Sequence, residues 1–415
     1  MTNTTGQKKN KFLRVILTVG TILIHLSLFE IAIRIFDPQS DLRRRDLFFQ
    51  HEPFVGAEGI PNKKGILANR SFKTSIELNN EGFRDYNHEK ENNQNKFRII
   101  TLGASYTFGM GVNNDQTYSK VLENIDSNVE TINMSVLGGN PQRSLKLYMS
   151  RGLDYEHNVV LLDIFLGIDV DIYYPKDSDS PPRWGFDSND NFVLIGKMES
   201  QEEVNKIRKA REDSHSPTKE RNLRKRINHW LVCHIHLLAF INNYRDYFSN
   251  VMKGSLIYTK IFKTFDAENK GSYGFPNSCR KKEPADMDYG WKLLAKTLET
   301  MKDYASQARA KLYVVFIPFD LQTSKVTYER TIRKYGQDPS EFDIEKPNRK
   351  LASLCKKLEI AYLDLLPAMR SEVSKGKKLY FHRDGHWNDK GHSTAAREIY
   401  KDLKKRGWFE QIENE

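Results

Sequence analysis

From Phe97 onward the chain alternates short, almost wholly apolar runs with amphipathic stretches. Phe97 to Leu102 (Phe-Arg-Ile-Ile-Thr-Leu) is rich in β-branched and aromatic residues and stops at Gly103, the pattern of a buried strand feeding a turn. The same reading gives a helix at about 116–125, a strand at about 129–134, a helix at about 141–151 and a strand at 158–166. Two further pairs follow, helix 286–308 with strand 311–318 and helix 346–358 with strand 360–365. Alternation of this kind predicts an α/β fold, a parallel sheet with helices on both faces. Ligands of such sheets bind beyond the carboxyl ends of the strands, the position in which Ser105 falls.

The longest apolar stretch lies ahead of this core, at Phe12 to Phe36, preceded by Lys8, Lys9 and Lys11. It exceeds the roughly 20 residues needed to span a bilayer. Glu30 and Arg34 stand at the i,i+4 spacing at which a helix pairs opposite charges. The positive flank predicts a cytoplasmic N-terminus and an exported body. Bulky residues fill Ile33-Arg34-Ile35-Phe36-Asp37-Pro38, where a signal peptidase needs small ones, so the expectation is an uncleaved anchor rather than a cleaved signal. The expected address is the inner (cytoplasmic) membrane, single-pass, with the folded body on the periplasmic side.

Two other segments read differently from the core. Asp37 to Asn95 is irregular and polar, with strand-like pieces around Ser71 to Leu78 and a turn at Asn79-Asn80-Glu81-Gly82. Asp171 to Pro284 holds Pro181-Pro182, a charged stretch from Glu199 to Lys225 expected as a solvated helix and loop, and an apolar patch from Trp230 to Ile241 too short to cross a membrane. The expected organisation is a tail at 1–11, an anchor at 12–36, a lead-in at 37–95, the first half of the core at 96–170, a helical insertion or cap at 171–284 and the second half of the core at 285–412.

Charge and cysteine content narrow the picture only slightly. Lys plus Arg number 65 against 54 Asp plus Glu, a net charge of +11 scattered through Lys8 to Arg14, Arg43 to Arg45 and Lys219 to Arg226. A positive surface favours anionic partners. The basic stretches lack zinc-ligand spacing and the aromatic pattern of an RNA-binding sheet, so no nucleic-acid partner is expected. Cys233, Cys279 and Cys355 match no zinc motif, and buried or free thiols are the expectation. Cys233, His234 and His236 lie close together without a fourth ligand at suitable spacing, so no metal is assigned.

Chemistry concentrates in two places at opposite ends of the core. Gly103-Ala104-Ser105 puts a hydroxyl just past a strand, and Asp384-Gly385-His386 offers a base with its orienter. The segment Gly103-Ala104-Ser105-Tyr106-Thr107-Phe108-Gly109 resembles the nucleophile block of the SGNH, or GDSL-like, hydrolase superfamily. Asn133 to Gln142 resembles its second block, with Gly138 matching the glycine that offers a backbone N–H to the oxyanion. Val159 to Asp169 resembles the third, and Asp384-Gly385-His386-Trp387-Asn388 the last. The resemblance implies a three-layer, flavodoxin-like domain whose catalytic residues are Ser105, Asp384 and His386, with the N–H groups of Ser105 and Gly138 as oxyanion hole. It implies no cofactor.

This chain departs from the family pattern at three points. Ala104 replaces the acidic residue common before the nucleophile, Ile168 replaces the third-block Asn, and one residue rather than two separates Asp384 from His386. The closer Asp-x-His-Trp spacing resembles that of periplasmic polysaccharide O-acetyltransferases related to alginate acetylation. The expected activity is a membrane-anchored serine esterase acting on acyl esters of envelope glycans or lipids. Its rivals are a polysaccharide O-acyltransferase using the same triad and a degenerate scaffold that only binds or assembles.

Other candidates fall away on chemistry. His382 and His392 flank His386, but neither has an Asp two residues before it; His392 is expected to open or pack the last helix. Asp364, at a strand end, is the fallback orienter. Asp169 and Asp171 resemble a glycosidase carboxylate pair, but Asp169 already fits the third block.

Overall fold

Five of the apolar runs become five strands of one sheet: β1 (Phe97–Leu102), β2 (Val129–Asn133), β3 (Val159–Phe165), β4 (Lys311–Ile317) and β5 (Ala361–Asp364). The computed structural model describes residues 4–36, 48–68, 71–167, 169, 182–215, 235, 237, 240, 276–335, 337–381 and 384–411. All neighbouring strands are parallel, and their order across the sheet is β2-β1-β3-β4-β5. That is the flavodoxin-like order, whose direction reverses between β1 and β3 and opens a crevice at their carboxyl ends.

Alternate residues of each strand feed two different cores, which is why these runs are apolar throughout. On one face Ile100, Leu162 and Val314 pack with Leu145 of α4 (Pro141–Ser150), Leu298 of α5 (Asp286–Gln307) and Leu351 of α6 (Lys346–Lys357). On the other, Ile99, Leu161 and Val315 pack with Leu122 of α3 (Tyr118–Ile125), Met369 of α7 (Leu366–Ser374) and Ile399 of α8 (Asp389–Lys405). Each such side chain, once fully buried, contributes roughly 1.5–3 kcal/mol. The result is the expected three-layer α/β sandwich.

Local chemistry sets the helix boundaries next to the site. Asn140 caps α4 by accepting from the Arg143 N–H at 2.9 Å, and Pro141 takes the first helical position, where no N–H is needed. Asn388 caps α8 by accepting from Lys390 and Gly391 N–H at 3.0 and 3.1 Å. The Asn that closes the Asp-Gly-His-Trp-Asn block therefore also starts the last helix.

The segment ahead of β1 forms a cradle for the nucleophile region. An antiparallel pair, Lys64–Ala68 with Lys73–Glu77, sends Ile76 and Leu67 into a third cluster with Phe48, Phe72, Phe108 and Met110. Arg84, almost fully buried, donates to the carbonyls of Phe108 and Gly109 at 2.6 and 2.5 Å and to Asn114 Oδ1 at 2.8 Å. It thus ties off the chain just beyond Ser105.

The insertion differs from expectation at its start. Its described part opens with an antiparallel β pair, Arg183–Phe186 with Phe192–Ile195, before the charged helix Gln201–His215. Trp184 stacks on Phe192 at 4.9 Å, and that aromatic pairing, unread in the sequence, holds the two strands together. Asp171, Pro181, Lys219 to Arg226, Cys233, His234 and His236 lie outside the described residues, as does most of Trp230 to Ile241. Cys279 and Cys355 are both buried, and burial pushes the Cys355 thiol up to about 12.

The chain divides into two compact units, Met1–Leu42 with Glu212–Ser272 and Arg43–Arg211 with Tyr273–Glu415. In the first, α1 (Thr4–Phe36) contains one apolar span, Phe12–Phe36, long enough to cross a membrane. Only 6% of its most apolar window is buried, which separates it from a core helix. Arg34 Nε donates to Glu30 Oε1 at 2.7 Å, the pair expected from their spacing. Glu30 also accepts the Leu237 N–H at 2.7 Å.

Candidate active site

β1 ends at Leu102, the chain turns through Gly103 and Ala104, and Ser105 begins the four-residue helix α2 (Ser105–Phe108). Gly109 closes it in the left-handed region, at φ of 80°. Ser105 stands at the carboxyl end of β1, beside the point where the strand order reverses.

Three side chains separated by most of the domain meet here. His386 Nε2 lies 2.7 Å from Ser105 Oγ, and His386 Nδ1 lies 2.5 Å from Asp384 Oδ1. A carboxylate can only accept, so Nδ1 carries the ring proton and Nε2 is left to accept from the serine hydroxyl. Ser105 and His386 are only partly buried, which leaves them open to a substrate.

The loop after β2 reaches the same place. Met134 N–H donates to Thr101 O at 3.0 Å and Val136 N–H to Gly103 O at 3.3 Å, so the loop runs beside the nucleophile turn. A Cβ on Gly139 would sit 3.2 Å from Gly103 O and 3.6 Å from Ala104 Cα, a measure of how close the two backbones come. Gly138, at φ of 69°, has open space where a side chain would be. Neither its N–H nor that of Ser105 has an acceptor among the described residues.

Two other candidate carboxyls have structural partners. Asp169 is buried; its Oδ2 accepts the Phe165 N–H at 2.8 Å and its own N–H donates to Phe165 O at 3.0 Å, closing the turn after β3. Burial pushes its carboxyl up to about 7. Ile168 and Asp171 lie outside the described residues. Asp364 bonds to Asn348 Nδ2, at 2.9 and 3.0 Å, and to the Leu366 N–H at 2.9 Å, so Asp384, not the fallback, faces His386.

The neighbouring histidines have other positions. His392 is buried in α8, and its Nδ1 accepts the Tyr118 N–H at 3.2 Å. Burial takes its imidazole down to about 3, so it packs as a neutral ring against Trp387. His382 lies outside the described residues.

Asp163 is the site neighbour that sequence reasoning missed. It sits in the middle of β3, fully buried, and accepts from the backbone N–H groups of Ala104 and Thr107 on either side of the nucleophile. Burial first, and the charge of Asp169 second, push its carboxyl well above the ordinary range, against the two backbone N–H groups that lower it. Its Oδ2 has no hydrogen-bond partner among the described residues. The available signal was a single Asp inside an otherwise apolar strand.

Among the described residues no cluster of His, Cys, Asp and Glu is arranged to hold a metal ion. No curated protein matches the sequence. Among solved structures, a lipolytic protein of the G-D-S-L family from Veillonella parvula is 10% identical, with 74% of this chain and 98% of that one covered and a TM-score of 0.34. The esterase EstA from Pseudoalteromonas sp. is 12% identical over 75% of this chain and 98% of its own, at the same TM-score of 0.34. A catalytic mutant of an acetylxylan esterase from Geobacillus stearothermophilus is 10% identical over 74% and 93%, with a TM-score of 0.34. Residues 296–415, which include Asp384 and His386, match the family described as the SGNH hydrolase-like domain of the acetyltransferase AlgX, and the SGNH, GDSL-like resemblance of this chain is thereby shown.

Proposed function

We propose that this chain is a serine-dependent enzyme of acyl esters, with Ser105 as nucleophile, His386 as general base and acid, and Asp384 as orienter. The observation that carries this reading is the continuous relay from Asp384 Oδ1 through both ring nitrogens of His386 to Ser105 Oγ. His386 takes the hydroxyl proton as Ser105 Oγ bonds to the ester carbonyl carbon, whose π pair moves to oxygen. The N–H groups of Ser105 and Gly138 receive that oxyanion; a donor of this kind contributes on the order of a hundredfold to a thousandfold in rate. Collapse expels the alkoxide, which recovers the proton from His386, and leaves an acyl group on Ser105.

The fate of the acyl group separates hydrolysis from transfer. Water returns the free acid, and a sugar hydroxyl gives a new ester. The match of residues 296–415 to the SGNH hydrolase-like domain of an acetyltransferase supports the second outcome, and the acceptor we propose for it is an envelope glycan. Incubating the detergent-purified full chain with an acetyl ester and increasing oligosaccharide decides between them. Transfer predicts O-acetylated sugar formed at the expense of acetate; unchanged acetate release with no acetylated sugar leaves the esterase.

We further propose that Phe12–Phe36 anchors the body outside the cytoplasm, a reading its length, apolar surface and lysine flank support. External protease should then digest the body in spheroplasts while the N-terminus stays attached to the membrane. A body protected until the membrane is lysed is the result that excludes this topology.

A further inference from the structure

Ser105 and His386 lie 281 residues apart in sequence, yet their side chains meet within hydrogen-bond reach. A catalytic pair needs placement to about 0.5 Å, held by neighbours that are themselves fixed. His386 sits on a turn rather than on a strand or helix. Asp384 and Gly385 N–H donate to Phe381 O at 3.2 and 2.9 Å, and Phe381 N–H donates to His386 O at 2.8 Å. Gly385 adopts φ of 87°, which turns the chain sharply between the orienter and the base.

One residue connects that turn to the nucleophile helix by both polar and ring contacts. Tyr106, immediately after Ser105, donates its hydroxyl to Gly385 O at 2.9 Å. Its ring lies 5.0 Å from the His386 ring, inclined by 41°, and 5.0 Å from Trp387. Phe165 backs it at 4.9 Å. The residue is 5% exposed, so water has little access to replace the bond. Burial also holds the phenol well above its usual range, which keeps it a donor at every working pH.

We propose that Tyr106 is a positioning residue: its hydroxyl fixes the carbonyl between Asp384 and His386 while its ring sets the plane of the imidazole, so that nucleophile and base are delivered in register. The proposal rests on the assignment of Ser105 and His386 made above. A peptide bond oriented by one hydrogen bond fixes the residues on both sides of it, here Gly385 and the base, with the orienter one residue before them. The aromatic face beneath the imidazole also favours the cation formed when the serine proton transfers.

The test uses the detergent-purified full chain and two readouts. Tyr106→Phe should lower kcat on a short acyl ester by about tenfold to a hundredfold with KM within about twofold, because the substrate's contacts are untouched while alignment is lost. The low-field proton resonance of His386 Nδ1–H, identified by its loss in His386→Ala, should broaden or disappear in Tyr106→Phe. Placing p-aminophenylalanine at position 106, which keeps the ring and a donor, should restore both. Wild-type kcat and an unaltered resonance in Tyr106→Phe overturn the proposal, as does failure of the amino analogue to rescue. Ester turnover that survives Ser105→Ala would instead overturn the nucleophile assignment, and the resonance still decides whether Tyr106 holds the turn.

Discussion

Ser105→Ala should lower ester turnover by roughly ten-thousandfold, to the level that binding and the oxyanion site give without a nucleophile. His386→Ala should fall about as far, because a serine hydroxyl is a poor nucleophile unless its proton has an acceptor, here the ring nitrogen 2.7 Å away. The double variant should be little worse than either single one, since the two side chains act as a unit. Asp384→Asn should cost less than loss of the nucleophile but still several powers of ten; an amide can offer its N–H to Nδ1 and so favour the tautomer whose Nε2 carries the proton. The measurement is initial rates on a short-chain acyl ester together with the rate of labelling by an organophosphonate. Turnover in Ser105→Ala within tenfold of wild type would reject the nucleophile, and additive losses in the double variant would reject the relay.

The sheet was legible because its inner strands are buried on two faces. Runs such as Val159 to Phe165 and Lys311 to Ile317 leave little room for any other reading, and the helices between them carry the expected apolar stripe. Ser105, Asp384 and His386 were legible from local motifs, and the structure brings the three together. What escaped was whatever depends on partners far away in sequence. Arg84 looks like any surface arginine until its carbonyl partners at Phe108 and Gly109 are known. Tyr106 reads only as a member of the nucleophile block, because its hydrogen-bond partner lies 279 residues further on. Asp163 did break a pattern, as a carboxyl within an apolar strand, but its two backbone partners lie on a turn that reaches it only after β1 and β3 pair.

That turn has no spare volume, and the second large effect is expected there. A Cβ on Gly103 would fall within the van der Waals radii of Asp163 Oδ1 and Thr107 Oγ1. Neither can retreat easily: Thr107 is fully buried in α2, and Asp163 is buried beneath the nucleophile with bonds to Ala104 and Thr107 N–H. Gly103→Ala should therefore displace the turn, slow phosphonate labelling of Ser105 by about a hundredfold or more, and cost about 1–3 kcal/mol of stability, the usual range for overpacking. Asp163→Ala removes the obstructing carboxyl but strands two backbone N–H groups, each at a cost of about 1–3 kcal/mol if left unsatisfied. Combining the two puts a methyl where the carboxyl was in the way, so part of the damage from Gly103→Ala should be relieved. The double variant should melt higher than the sum of the single losses allows, with an interaction energy of roughly 0.5–3 kcal/mol, as expected for residues in contact. Strictly additive losses in melting temperature and labelling rate would mean that Asp163 does not press against the nucleophile turn, and its place beneath Ser105 would carry no consequence for the chemistry above it.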